Sequence, residues 1–376
     1  MRSPEDLRHN LAQAILHVRS QRATSRRSLA DVMRLSPTTA GFYVDQLIAF
    51  GHLRESGLEQ GLMGRPKRAL STEAAAGWFA GIEFNAERMQ AVRVDFSGTL
   101  AASELRPLPE GAHPREVITE IKNLIVALMR GASGPLLGIG LGAPGVVDPQ
   151  RGIGVDYAFF PDWKNVPLAV PLSKRFKVPV TLENNLRAIA LAERWFGGGR
   201  DLNDYVILGP RSGFGIAMMQ GGRLTRGAHH AAGEIGLWPW PSAGGEKSKK
   251  LHHALSSPAI WRRLAGASSR MKLPVDLHTA LAHFADASGA AYGEVIADYA
   301  RVIGCLHLLV DTEVYFLHGP LTALGAGFCD AVAGQAATLM GGLKDHPPHI
   351  VPSTLGDDAG ALGAASLAME TWIPKQ

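Results

Sequence analysis

Cysteine is nearly absent from this 376-residue chain: only Cys305 and Cys329 occur, both in apolar surroundings toward the C-terminus. That excludes a disulfide scaffold and any CxxC zinc or redox motif. Long hydrophobic runs are also missing. No stretch reaches the ~18 uninterrupted apolar residues that suggest a membrane helix. The opening residues Met1-Arg2-Ser3-Pro4-Glu5-Asp6 hold no signal-peptide h-region, so the sequence predicts a soluble, cytoplasmic protein. The 43 glycines follow no G-X-Y period, which excludes collagen and implies many tight turns. With 46% hydrophobic and 19% charged residues, the balance is globular, and the length suits two or three packed units.

Excess positive charge is confined to the start. Residues 1–72 carry ten arginines and Lys67 against six acidic residues, a net charge of +5, and residues 73–376 carry a net −1. Arginine suits bidentate contacts to phosphate and guanine. A basic head on a near-neutral body points to an anionic partner, with a solvated helical face as the alternative.

Pattern narrows that choice. Leu7, Leu11, Ala14, Ile15 and Val18 fall at helical spacing over residues 5–20. A second short helix is expected from Ser28 to Met33, burying Leu29, Val32 and Met33. Ser36 is a good N-cap with Pro37 in the first turn, and the helix it starts buries Val44, Leu47 and Ile48 and stops at Gly51. Two short strands, at 52–55 and 67–71, flank a glycine-bearing loop. The order of three helices and a two-stranded wing is that of a winged helix-turn-helix; a dimerisation cap is the alternative. The third helix would present Thr38, Thr39, Phe42 and Tyr43 to the major groove. In the wing, Arg65 between Gly64 and Pro66 suits a narrow minor groove, with Lys67 and Arg68 beside it.

From Trp78 the period becomes that of strands. Residues 79–84, 89–96 and 100–105 form a meander, a helix follows at 114–130, and a buried glycine-rich strand runs from Leu136. After a helix at 186–196, strands at 205–208, 215–219 and 223–224 repeat the meander. Two α/β lobes with the same opening imply a duplicated fold.

Four further motifs occur in order: Gly138-Ile139-Gly140-Leu141-Gly142-Ala143-Pro144-Gly145, Glu183-Asn184-Asn185, Arg226-Gly227-Ala228-His229 through Gly233-Glu234-Ile235-Gly236, and Leu355-Gly356-Asp357-Asp358-Ala359-Gly360. Together with the head they resemble the ROK family of repressors, open reading frames and kinases, specifically its transcriptional-repressor branch. The resemblance implies an N-terminal winged helix-turn-helix (α+β) followed by an α/β actin-like (ribonuclease H-like) duplicated sugar-kinase fold. The expected division is 1–75 for the head, 76–182 for the first lobe with 357–376 packing back on it, and 183–356 for the second lobe.

Departures from the family's kinases carry the functional expectation. Where they have a D-x-G-G-T-K phosphate loop, this chain reads Glu83-Phe84-Asn85-Ala86-Glu87-Arg88. Both glycines are gone, and Glu87 would repel phosphate. The second phosphate loop is half kept as Arg211-Ser212-Gly213-Phe214-Gly215. The general-base aspartate is replaced by Asn185, whose amide cannot take a proton but can hydrogen-bond a sugar hydroxyl. The family's zinc histidine is Leu237, and no cysteine cluster follows. Trp238 and Trp240 are expected to replace the metal as an apolar staple. The segment over the sugar reads Phe159-Phe160-Pro161-Asp162-Trp163.

The resulting expectation is a DNA-binding regulator, a repressor of carbohydrate-metabolism genes, with no enzymatic activity, cofactor or metal. Its partners would be double-stranded DNA bearing an inverted repeat, a sugar or sugar-derivative effector, and further copies in a homodimer or tetramer. Asn184, Asn185, Arg187 and Glu234 are the expected effector-binding residues, with Arg187 reading either as a contact to an anionic substituent or as a surface arginine. The rivals are a carbohydrate kinase with a regulatory head, and a regulator that answers to a protein partner.

Overall fold

The computed structural model describes residues 4–59, 67–241, 249–268, 270–341 and 345–374. The chain divides into two compact units, Met1–Ala188 together with Gly360–Gln376, and Ile189–Ala359.

The first unit begins with α1 (Pro4–Arg19), α2 (Arg26–Met33) and α3 (Pro37–Ala49). Ser25 and Ser28 form a capping box at the start of α2, so that helix begins two residues earlier than its apolar pattern suggests. It buries Leu29 and Ala30, whereas Val32 is exposed; Arg34 turns the chain at φ 53° as the helix ends. Ser36 Oγ accepts the Thr39 amide at 3.1 Å and Pro37 opens α3. Leu11, Ala14, Ile15, Leu29, Ala40, Val44 and Leu47 form the head's apolar centre. The antiparallel pair β1 (Leu53–Glu59) and β2 (Lys67–Thr72) follows.

The unit continues with β3 (Trp78–Phe84), β4 (Arg88–Asp95), β5 (Leu100–Pro107), α4 (Pro114–Met129) and β6 (Leu136–Ala143). A three-stranded ribbon of β7 (Val146–Asp148), β8 (Ile153–Asp156) and β9 (Lys164–Pro167) precedes α5 (Ala169–Phe176), β10 (Val180–Asn184) and α6 (Asn185–Phe196). The main sheet has the order β10-β6-β3-β4-β5, parallel on its β10-β6-β3 side and antiparallel on the other.

In the second unit, β11 (Tyr205–Pro210), β12 (Phe214–Gln220) and β13 (Arg223–Leu224) repeat the meander. Next come β14 (Pro239–Trp240), β15 (Lys249–Lys250), α7 (Leu251–Leu255), α8 (Ser257–Leu264), α9 (Leu277–Ala282), α10 (Ala290–Val310), β16 (Val314–Leu317), α11 (Gly325–Leu339) and β17 (Ile350–Pro352). The sheet order is β13-β12-β11-β16-β17, with β11, β16 and β17 parallel. The two sheets thus share one topology, as the repeated meander predicts.

The C-terminal α12 (Ala359–Thr371) belongs to the first unit from Gly360 onward. It packs there backbone against backbone: a Cβ on Gly140 of β6 would overlap the Ala364 carbonyl oxygen, and one on Gly363 would overlap that of Ala188. No described helix is long and apolar enough to cross a membrane.

Candidate nucleic-acid interface and ligand site

On α3, Thr38 and Phe42 lie one turn apart and are exposed, Phe42 at 48%. Thr39 is half-buried, its hydroxyl 2.9 Å from that of Ser36 in the helix cap. Tyr43 does not join this face. It is 2% exposed and packs inward beside Ala40, Val44 and Leu47, one helical position away from the outward stripe. The expectation that it faces DNA is therefore corrected. Arg65, with Gly64 and Pro66, lies outside the described residues. Lys67 opens β2, and Arg68 is exposed with its Nη1 3.5 Å from Glu55.

A network that spacing does not reveal aims α3. Arg26 of α2 reaches Asp45 of α3 and Glu55 of β1, each at 2.7 Å, and donates to the Gly41 carbonyl at 3.3 Å. Arg26, and then Arg68, hold the Glu55 carboxyl below its ordinary range. Not every arginine of the head is available to an outside anion. Arg22, Arg27 and Arg34 are exposed, but Arg19 is 7% exposed. The Arg19 guanidinium lies over the rings of Phe96 (4.5 Å) and Phe79 (5.3 Å), and burial pushes its pKa down to about 9.

The expected ligand residues begin at α6. Asn184 is its N-cap: Oδ1 accepts the amides of Leu186 (2.9 Å) and Arg187 (3.3 Å), and Nδ2 donates to the Gly145 carbonyl at 3.0 Å. Both ends of that amide help tie the glycine-rich loop to α6, so Asn184 serves as scaffold. The available signal was an asparagine standing immediately before a helical period. Arg187 is 1% exposed, and its Nε donates to the fully buried Glu183 at 2.7 Å. This (i, i+4) pair points inward, which corrects both readings of Arg187 as an anion contact and as a surface arginine.

Asn185, half-buried in the first turn of α6, is different. Its Nδ2 donates to Glu83 Oε1 at 3.2 Å. A carboxylate partner fixes which way the amide faces, leaving Oδ1 as an acceptor for a hydroxyl or amine. Glu83, 2% exposed near the end of β3, is thus brought beside Asn185, 102 residues away in the sequence. One turn further, Asn85 Oδ1 accepts the amides of Glu87 (2.8 Å) and Arg88 (2.9 Å). Those N–H groups, which a phosphate loop would aim at its ligand, are held by a side chain instead.

In the second unit, Glu234 is half-buried on the turn before Ile235. Trp240 packs against that unit's core with the Arg301 guanidinium 5.7 Å from its ring centre, but Trp238 is 38% exposed. Only one of the two tryptophans therefore acts as a staple. Pro239 and Trp240 pair with Lys250 and Lys249, and residues 242–248, including Lys247, lie outside the described residues.

The chain is similar to a xylose repressor from Caldicellulosiruptor bescii, 28% identical over 56% of this chain and 54% of that protein, about half the relative's length. A xylose repressor from Bacillus subtilis is 22% identical over 93% of this chain and 92% of its own. A glucokinase from Thermotoga maritima is 31% identical over 68% of this chain and 86% of its own. A solved ROK family transcriptional regulator, a homologue of the Escherichia coli Mlc protein, shares the fold with a TM-score of 0.79, covering 97% of this chain and 96% of that one at 19% identity. The model of the ROK family matches residues 79–371, from the first strand of the duplicated sheets to the end of α12, so the chain belongs to the ROK family.

Proposed function

We infer that the chain is a DNA-binding transcriptional repressor of carbohydrate-metabolism genes, with a winged helix-turn-helix head and a sugar-sensing body that does not phosphorylate its ligand. The observation that carries this reading is α3: a capped helix after a three-residue turn, showing Thr38 and Phe42 outward while Arg26 braces it from behind. Similarity to xylose repressors, one of them along nearly the whole chain, supports the same function. The arginines exposed around α3 would supply the salt-dependent phosphate contacts, and Arg65 the minor-groove contact. Two heads of a dimer would read an inverted repeat in cytoplasmic DNA. Asn185 and Glu234 would contact sugar hydroxyls.

Loss of kinase chemistry has two supports. The base position holds an amide already bonded to Glu83, and the amides of Glu87 and Arg88 are taken by Asn85. Similarity to a glucokinase makes the enzyme reading worth a direct test. Purified protein with ATP and a panel of sugars should give no turnover; a sugar-dependent rate would establish the kinase instead.

The head is tested by selecting genomic DNA fragments with the full chain and with a Thr38→Ala/Phe42→Ala variant at two salt concentrations. One inverted repeat should be enriched by the natural protein, weaken steeply with salt and disappear for the variant. No enrichment at low salt would overturn the reading.

A further inference from the structure

The ligand site and the DNA-reading head are joined by one helix. Helix α12 runs from Gly360 toward Trp372, roughly 18 Å at the rise of an α-helix. At its start, a Cβ on Gly360 would overlap Cγ of Glu83, the residue that holds Asn185. Along its middle, Gly363 meets the Ala188 carbonyl of α6, and the Ala364 carbonyl meets Gly140 of β6. Backbone packed on backbone has no rotamers with which to absorb a displacement. At its end, the Met369 carbonyl accepts Arg19 Nη1 at 3.5 Å, and the buried Trp372 sits edge-on to His52 (5.2 Å) and Phe96 (5.2 Å).

Arg19 is the last residue of α1 and His52 lies just before β1, so both belong to the head. Arg19 Nε also donates to the Phe96 carbonyl at 2.8 Å, and His52 stacks on Phe96 at 5.3 Å. A cation this deeply buried is costly to unpair. The contact ties the end of α1 to the Phe96 and Met369 carbonyls. The sequence assigns no role to this cluster, since Arg19 reads there only as one more basic residue of the head.

We propose that α12 is the rigid link through which occupancy at Asn185 reaches the DNA-reading head, delivered to α1 and β1 by the Arg19–Phe96–Trp372–His52 clasp. This rests on the sugar-sensing reading for its ligand but not for its mechanics. A ligand that pulls on the Asn185–Glu83 pair moves the start of α12, and the helix carries the shift to Met369 and Trp372. The ligand regulates the head only to the extent that it binds one seating of α12 better than the other.

The link is tested without any ligand, by hydrogen exchange on the full chain. Gly360→Ala wedges a methyl group against Glu83, and Glu83→Gln changes the same spot without added bulk, so the test survives if the wedged variant does not fold. In both, amides of α1 and β1 should change exchange rate by about fivefold or more, the lower range of ordinary allosteric coupling. With Arg19→Met added, the change should reach the end of α12 and stop there. Head amides that do not respond to either variant, or that respond equally without Arg19, would overturn the proposal. The sugar reading fails separately: xylose, glucose and N-acetylglucosamine each giving no thermal shift would refute it, and the exchange result would stand.

Discussion

Two five-stranded sheets of identical order are covered in different ways. In the first unit, α12 lies directly on the parallel strands at Gly140, where nothing larger than hydrogen fits. In the second, aromatic side chains of α10 and α11 fill the layer beside the sheet: Tyr299 is 5.6 Å from Phe214 and 5.6 Å from Phe328, ring centre to ring centre. The turns after the first strand differ too. Asn85 holds two amides in one, whereas Gly213 in the other has open space around its Cα. Strand pattern gives both units the same topology, and side-chain size decides how tightly each is coupled to its helices. The sheet with a helix backbone pressed directly on its parallel strands is the one that carries Asn185 and the head.

The largest expected effect is in the second unit. Phe328→Ala should destabilise that unit's unfolding transition by about 3–5 kcal/mol, the usual cost of emptying a buried aromatic site; denaturant titration checks it, and a cost well below that range would mean the aromatic layer repacks easily. In the first unit the opposite change, Gly140→Ala, adds one methyl group and should cost about 1–3 kcal/mol through overpacking. Equal tolerance of this substitution at both sheets would break the comparison. Asn85→Ala should cost about 1 kcal/mol, the worth of the side-chain bonds to Glu87 and Arg88, and leave those amides exchanging faster. The matched change Gly213→Ala should stay within about 0.5 kcal/mol, as a substitution into open space does.

Much of this was legible in the residues. Ser36-Pro37 marks the start of α3, the alternating runs mark the meanders, and resemblance to the ROK motifs points to Asn185 as a site position before any fold is known. Residue facing was less accessible. Thr38, Thr39, Phe42 and Tyr43 look like one outward set in the sequence, yet Tyr43 lies on the buried side of α3. Asn184, Asn185, Arg187 and Glu234 look like one ligand set in the sequence, yet a helix cap uses Asn184 and a buried carboxylate uses Arg187. In each case the deciding neighbour is a backbone amide or a side chain whose availability depends on where the helix begins.

The sequence by itself determined the two repeated meanders, the basic three-helix head and the presence of an amide at position 185, because periodicity, capping and side-chain identity are local properties. Only the tertiary structure decided that Glu83 grips Asn185, that Arg26 braces α3, and that Arg19 is sealed between Phe96 and Phe79. Those pairings join residues far apart along the chain, and whether an arginine meets water, a carboxylate or an aromatic ring is settled by what the fold brings beside it.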